Sequence, residues 1–337
     1  MPTLALTVAV ERLPFAAPFR IAGRVFEHQD AVVVTLDDGA QRGRGEACGV
    51  FYLNDGVREM QAAIEAQRAA IERGIDREAL QRLLPPGGAR NALDCALWEL
   101  DAQRTGRPVW KLAGLKAPRE LVTTFTLGAD QPQAMAAGAR RYAEARALKV
   151  KLTGDLELDA ARVAAVRAAR PEVWLGVDAN QAYAIDQLAP LVEILVAARV
   201  ELLEQPLARG READLEHFES PIPIAADESA LSLNDIAGLV GRFDTVNIKL
   251  DKCGGLTEGL AMAREARHAG LDVMVGNMMG SSLAMAPAFV LGQLCDVVDL
   301  DGPTFLARDR TPAVRYSGGR IWCDEAVWGR GAASRAG

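Results

Sequence analysis

The sequence predicts a (β/α)7β modified TIM barrel carrying an α+β capping domain, and three observations predict it. From about Pro118, short β-branched or apolar runs alternate with Ala-rich helical runs, a rhythm that argues for parallel βα units. The strand-like runs, at 121–126, 147–151, 173–178, 201–204, 224–227, 245–249, 273–276 and 297–300, make eight, which favours a closed barrel over an open sheet. The last run is followed by "DGPTFLARD", which lacks helical patterning, so the barrel is one helix short.

Ahead of the barrel, residues 1–115 read as the α+β cap. "TLALTVAVERL" and "DAVVVTLDDG" alternate like strands, with a hairpin turn at 37–39. "NDGVREMQAAIEAQRAAIERG" and "GGARNALDCALWELDAQRTG" read as helices that end near Gly74 and Gly106. The barrel is expected over 116–307. Beyond it "AVRYSGGRIWCDE" is β-like again, and 308–337 are expected to return to the first domain and complete it.

The composition is that of a soluble globular protein, with 50% hydrophobic and 25% charged residues among 337. A net charge of −7 argues against a nucleic-acid or anionic-membrane surface. No apolar run is long enough to span a bilayer, and the N-terminus has no signal-peptide pattern. Cys48, Cys95, Cys253, Cys295 and Cys323 form no C-x-x-C pair, and their odd number fits reduced thiols in the cytoplasm. Only His28, His217 and His268 occur, which narrows the choice of a catalytic base.

In barrel enzymes the chemistry sits at the C-terminal ends of the strands, and the polar residues collect there. Asp178, Glu204 and Asp227 end strands three, four and five. Three carboxylates without a softer ligand suit Mg²⁺ or Mn²⁺, although each acid taken singly could cap the helix after it. Lys151 ends strand two and Lys249 strand six, nearly across the barrel. Two amines on opposite sides of one carbon supply the base and acid of a racemisation in either direction, whereas a lysine salt bridge is the plain alternative. Nearby cations and a dry wall lower a lysine's pKa, and Lys149, on the same side of its strand as Lys151, is placed to contribute. A proton beside a carboxylate is so weakly acidic that its removal needs a metal and cations together. Asn180 and Glu228 stand beside two of the acids as supporting groups. Asp251, two beyond Lys249, joins them without an assigned role.

The ordered set K-x-K, D-x-N, E-Q-P, D-E, K-x-D-K-x-G-G and D-x-D resembles the enolase superfamily, and within it the muconate-lactonising subgroup. "DVMVGNMMGSS" lacks the late histidine of the mandelate racemase subgroup. The resemblance spans nearly the whole chain and implies Lys151 and Lys249 as the acid/base pair and Asp178, Glu204 and Asp227 as Mg²⁺ ligands. The final Asp299-Leu300-Asp301 resembles the motif of dipeptide epimerases, where the pair faces a dipeptide ammonium. The resemblance likewise puts Arg24 in a loop that closes over substrate, where a guanidinium suits an acidic side chain, with Phe19, Phe51 and Tyr52 in the same cover. Substrate-binding residues are thus Arg24, Lys149, Asp299 and Asp301. The glycines of "CGGLTEG" read as a tight turn rather than a phosphate loop.

The implied activity is an Mg²⁺-dependent epimerisation of dipeptides of the L-Ala-D/L-Glu kind, on small-molecule substrates and in a homo-oligomer. The same machinery also fits racemisation of N-acyl amino acids such as N-acetyl-glutamate. It fits, too, an o-succinylbenzoate synthase or muconate cycloisomerase. A barrel that only binds a ligand would need neither both lysines nor the acids.

Overall fold

The fold is governed by strand alternation in the cap and by strand–helix alternation beyond it. The computed structural model describes residues 3–21 and 24–330. In the cap, β1 (Ala5–Ile21), β2 (Arg24–Asp37) and β3 (Arg42–Ala47) form an antiparallel meander. β1 and β2 stay in one register from Ala5 opposite Asp37 to Pro14 opposite His28, then slip before Phe19 pairs with Phe26. β1 therefore runs past the expected strand through "PFAAPF". β3 is not evident in the sequence, because the alternating Gly and Arg of "RGRGEA" hide it. Its glycines are there for close packing. A Cβ at Gly43 would lie 2.0 Å from the Ala96 carbonyl oxygen, and one at Gly45 2.0 Å from that of Ala92.

Those carbonyls belong to the helix Gly88–Thr105, whose residues 88–100 are all buried between the cap sheet and the barrel. The helix expected over 54–74 divides into Val57–Ala66 and Arg68–Glu72 at Gln67. Arg77–Leu83, which Asp76 caps through the Ala79 amide, is a further helix.

The chain reaches the barrel through a switch between sheets. Residues 121–126 read as one strand but form two. β4 (Leu121–Val122) joins a small antiparallel sheet, and β5 (Thr124–Leu127) opens the barrel. Thr123 is the corner between them. Then come β6 (Ala147–Lys151), β7 (Trp174–Asp178), β8 (Leu202–Glu204), β9 (Ile224–Ala226), β10 (Thr245–Ile248), β11 (Asp272–Val275) and β12 (Val297–Val298), parallel and in sequence order. Closure is made by threonines. The Leu300 amide donates to Thr123 Oγ1 at 2.9 Å, Thr124 Oγ1 donates to Asp299, and the Thr126 amide donates to Asp301 at 2.6 Å. A 3-10 turn, Gly302–Phe305, replaces the eighth helix. No helix among the described residues is long and apolar enough to cross a membrane.

The chain then forms a hairpin of β13 (Arg315–Ser317) and β14 (Arg320–Trp322), and β14 pairs with β4. After it Trp328 Nε1 donates to the Arg44 carbonyl at 2.9 Å, back on the cap. Cap and barrel are joined by charge as well. Buried Arg90 pairs with Glu258, and buried Asp94 accepts the Thr257 amide at the start of the helix Leu256–His268.

Behind Lys151 the loop is held by Asp159, which is 1% exposed. It accepts the amides of Thr153 (2.8 Å) and Gly154 (2.9 Å) and the Tyr183 hydroxyl (2.7 Å), and pairs with Arg162 at 2.7 Å. Asp159→Ala should therefore cost about 3–5 kcal/mol in urea unfolding, since it strands a buried guanidinium. A loss under about 1 kcal/mol would contradict this assignment.

Candidate active site

The parallel ladder aligns the acids. Lys151 stands in register with Asp178, and Asp178 with Glu204. Glu204 pairs with Ala225, two residues before Asp227. The carboxylate oxygens of Asp178, Glu204 and Asp227 lie within 4.8 Å of one another, and all three residues are buried. That cluster of hard oxygen donors fits a divalent cation such as Mg²⁺.

Each acid has a cationic or amide partner. Lys151 Nζ lies 2.5 Å from Asp178, and Lys249 Nζ lies 2.6 Å from Asp227. Lys252 Nζ bonds the other oxygen of Asp227 at 2.6 Å, and Asn247 Nδ2 donates to Glu204 at 2.7 Å. Lys149 pairs with Asp299 and reaches Glu204 at 3.4 Å. Its charge is thus engaged by acids rather than directed at Lys151.

Six buried carboxylates (Asp178, Glu204, Asp227, Glu228, Asp299 and Asp301) face four buried ammonium groups (Lys149, Lys151, Lys249 and Lys252). The excess of two negative charges is what a divalent cation neutralises. The imbalance shows in the acidities. Burial, then the charge of Asp178, pushes Glu204 up to about 7. Burial, then Asp227, pushes Glu228 up to about 8. Burial opposes the charge of Asp227 too, but Lys249 and Lys252 hold it well below the usual carboxylate range. For Lys249, burial is outweighed by Asp227 and Glu204, which hold it well above its ordinary value.

Lys151 and Lys249 are 9% and 7% exposed, and both face one cavity. They stand at β6 and just after β10, four strands apart in a ring of eight, with Asp178 on β7, Glu204 on β8 and Asp227 just after β9 between them. Phe19, Phe51, Tyr52 and Phe305 form the roof, with Phe19 and Phe305 4.6 Å apart and Phe51 and Tyr52 5.3 Å apart. Met278 and Met279 line the side. Tyr52 Oη, Asn180 Oδ1 and Glu228 Oε2 border this cavity as buried polar atoms without a hydrogen-bond partner. Such atoms are the ones a ligand would engage.

Ten of the expected residues meet around this cavity: Lys149, Lys151, Asp178, Asn180, Glu204, Asp227, Glu228, Lys249, Asp299 and Asp301. Asp251 faces away from it and accepts the amides of Cys48 and Gly49. Arg24 opens β2, and its side chain lies outside the described residues. Sequence reasoning leaves Lys252, Asn247, Thr124, Thr126, Gln205 and Phe305 unassigned. The lysine is legible in K-x-D-K, and Asn247 sits two residues before Lys249 on the same side of the strand. The threonines carry no signal before the barrel is closed.

Residues 134–326 match the family model "Enolase C-terminal domain-like", and residues 4–114 match "Mandelate racemase / muconate lactonizing enzyme, N-terminal domain". The chain is 40% identical over 313 residues to the L-Ala-D/L-Glu epimerase of Escherichia coli, covering 92% of this chain and 97% of that protein. It is 42% identical over 301 residues to an N-acetyl-D-glutamate racemase of a Pseudoalteromonas species, covering 88% and 95%. Among solved structures, an Agrobacterium tumefaciens enolase family member with homology to dipeptide epimerases, with sodium and L-Ala-L-Glu bound, superposes with a TM-score of 0.93 at 39% identity, covering 97% and 100%. A Methylococcus capsulatus dipeptide epimerase complexed with Mg and L-Arg-D-Lys gives 0.89 at 32%, covering 95% and 97%.

An ion held by these acids should stabilise the fold. Mg²⁺ at about 100 times its Kd should add about 2.7 kcal/mol, read as a rise in Tm, and Glu204→Gln should remove most of that rise. An unchanged Tm in the unsubstituted protein would rule out the ion site.

Proposed function

Because the chain belongs to the mandelate racemase / muconate lactonizing enzyme family of the enolase superfamily, we propose that it is an Mg²⁺-dependent dipeptide epimerase acting at an acidic second residue. One observation carries the reading. Two buried lysines from strands four apart in the barrel face one cavity, and the three clustered carboxylates come from the strands between theirs and from the ends of those strands.

In this reading the substrate carboxylate lies toward Asp178, Glu204 and Asp227, and its α-carbon lies between Lys151 and Lys249. The neutral amine of one lysine takes the α-proton. The ammonium of the other returns a proton to the opposite face, and the roles exchange in the reverse direction. An Mg²⁺ ion on the three acids would supply positive charge that offsets their pull on the lysines and stabilises charge developing on the substrate carboxylate. Lys149, held cationic by Asp299 and Glu204 against the effect of burial, adds to that positive field. The apolar roof keeps water from the carbon while it is deprotonated.

The ammonium end of a dipeptide goes to Asp301. Asp299 is engaged by Lys149 and Thr124, whereas Asp301 borders the cavity with no lysine on its carboxylate and accepts the Thr126 amide. Arg24 would meet the acidic side chain of the second residue. A second reading, racemisation of N-acyl amino acids, is favoured by the 42% identity to an N-acetyl-D-glutamate racemase. It would leave Asp301 without an ammonium to bind.

Pooled L,L-dipeptides and N-acyl amino acids, incubated with enzyme and Mg²⁺ in D₂O, separate these readings. A one-unit mass gain with an intact skeleton in L-Ala-L-Glu is expected. A gain confined to N-acyl amino acids would select the second reading, and a broken or cyclised skeleton would indicate lyase or cycloisomerase chemistry. Lys151→Ala and Lys249→Ala should each lower epimerisation by at least about 10²- to 10⁴-fold while each retains exchange from one epimer only. Near-normal turnover in either would end the two-lysine scheme.

Burial, and next the charge of Asp299, push Asp301 up to about 6. The group holds an ammonium only when ionised, which it is above about pH 6 and not below. KM for a dipeptide should therefore rise more steeply as pH falls from 7 to 5 than KM for an N-acyl amino acid, which feels only the protonation of Glu204 at the ion site. A flat dipeptide KM would remove Asp301 from ammonium binding.

A further inference from the structure

Asp251 is a fully internal carboxylate that the reaction scheme leaves without a task. It lies in the short helix Leu250–Cys253, which begins immediately after Lys249. Its side chain does not face the catalytic cavity. Instead Oδ1 accepts two amides of the cap at once, Cys48 at 2.7 Å and Gly49 at 3.0 Å. A buried carboxylate with two converging amide donors is a strong, directional joint.

The chain just beyond those two amides gives the joint its consequence. Gly49 has φ +67°, and a Cβ there would fall 1.8 Å from the Asp55 carbonyl oxygen, so the chain turns back tightly on itself. The Val50 amide donates to the Asp55 carbonyl at 3.0 Å, and the Leu53 amide to the Val50 carbonyl at 2.9 Å. Asp55 in turn accepts the Gly88 amide at 2.7 Å. Residues 50–55 are therefore a closed loop with the 3-10 turn Phe51–Leu53 at its tip. That tip carries Phe51 and Tyr52 into the cavity, where the Tyr52 hydroxyl is buried without a partner. A loop this tightly bonded moves as one piece when its base moves.

We propose that Asp251 is a positioning residue. It fixes the base of the 50–55 loop to the turn that carries Lys249, and so sets where the Tyr52 hydroxyl meets the substrate. This rests on the epimerase reading for its substrate but on the structure for its mechanics. Asp251 makes cap and lysine move together, so that the cover is in register with the amine that works beneath it.

The test uses the full-length, Mg²⁺-loaded enzyme and L-Ala-L-Glu. Asp251→Ala should raise KM about ten- to a hundredfold with a smaller change in kcat, as expected when a substrate-contacting group is displaced by about 1 Å. Asp251→Asn keeps an oxygen that can accept both amides and should bring KM most of the way back to that of the unsubstituted enzyme. Tyr52→Phe should raise KM by itself. Combined with Asp251→Ala, it should add less than the product of the two single effects, because both act through one hydroxyl. Independent, multiplying effects would overturn the proposal. So would an Asn variant as impaired as the Ala variant, or a Tyr52→Phe variant with unchanged KM. If the Ala variant does not fold, the Asn and Phe variants still decide. If the unsubstituted enzyme exchanges no proton in any substrate of the pool, the epimerase reading fails separately. Amide hydrogen exchange over residues 48–54 then tests the joint alone: faster in Asp251→Ala than in Asp251→Asn supports it, and equal rates refute it.

Discussion

The molecule is organised around an excess of buried negative charge at one end of a barrel. Carboxylates without partners would cost several kcal/mol each in a dry cavity, so their positions cannot be incidental. Parallel pairing puts Asp178 beside Glu204, and Lys151 beside Asp178. The ladder that builds the barrel therefore also builds the acid cluster and its first ammonium partner. A one-residue slip of any of these strands would turn the charges into the helix layer, so fold and site are fixed by one register.

Holding that register at the strand ends requires unusual backbone. Asn180 and Gln181 follow Asp178 with φ of 43° and 66°, and Gln205 follows Glu204 with φ of 37°. Each left-handed non-glycine residue costs about 1–3 kcal/mol, and such residues cluster where function over-determines the chain. For Gln205 the compensation is visible. Its Oε1 accepts the amides of Asp227 and Ser229 at 2.9 and 3.1 Å, and its Nε2 donates to the Leu207 carbonyl at 3.0 Å and to Ser229 Oγ at 2.9 Å. One strained residue thereby sets the distance between the second and third acids.

These features differ in how far the sequence reveals them. The barrel and its acids are legible because strand ends are periodic and the residue types there are chemically improbable as solvated surface. Lys151, Lys249 and the three acids follow from that pattern alone. Residues that act across strands do not. Thr124 and Thr126 bond Asp299 and Asp301 only because the first and last strands meet, which no local pattern encodes. Thr123 turns one apparent strand into two by the same closure. β3 escapes because Gly43 and Gly45 answer to the helix packed on them, not to strand propensity. Asp251 is visible as a charge, but its partners, Cys48 and Gly49, lie far earlier in the chain, in the cap.

Division of labour between the two layers follows from these contacts. Without the cap, the barrel would present its charges in an open cup, where water would weaken every interaction within it. The cap supplies Phe19 overhead from β1, and Phe51 and Tyr52 from a loop whose shape the barrel ladder does not dictate. Their alignment instead comes from joints at the end of β3, where Asp251 holds Cys48 and Gly49, and buried Glu46 accepts the Ser281 amide at 2.7 Å and pairs with Arg310 at 2.7 Å. Roof side chains can vary without disturbing any acid or lysine below, provided those joints stay. A machine that removes one kind of proton can thus be fitted to different substrates by changing its cover, while the register that places the lysines is left intact.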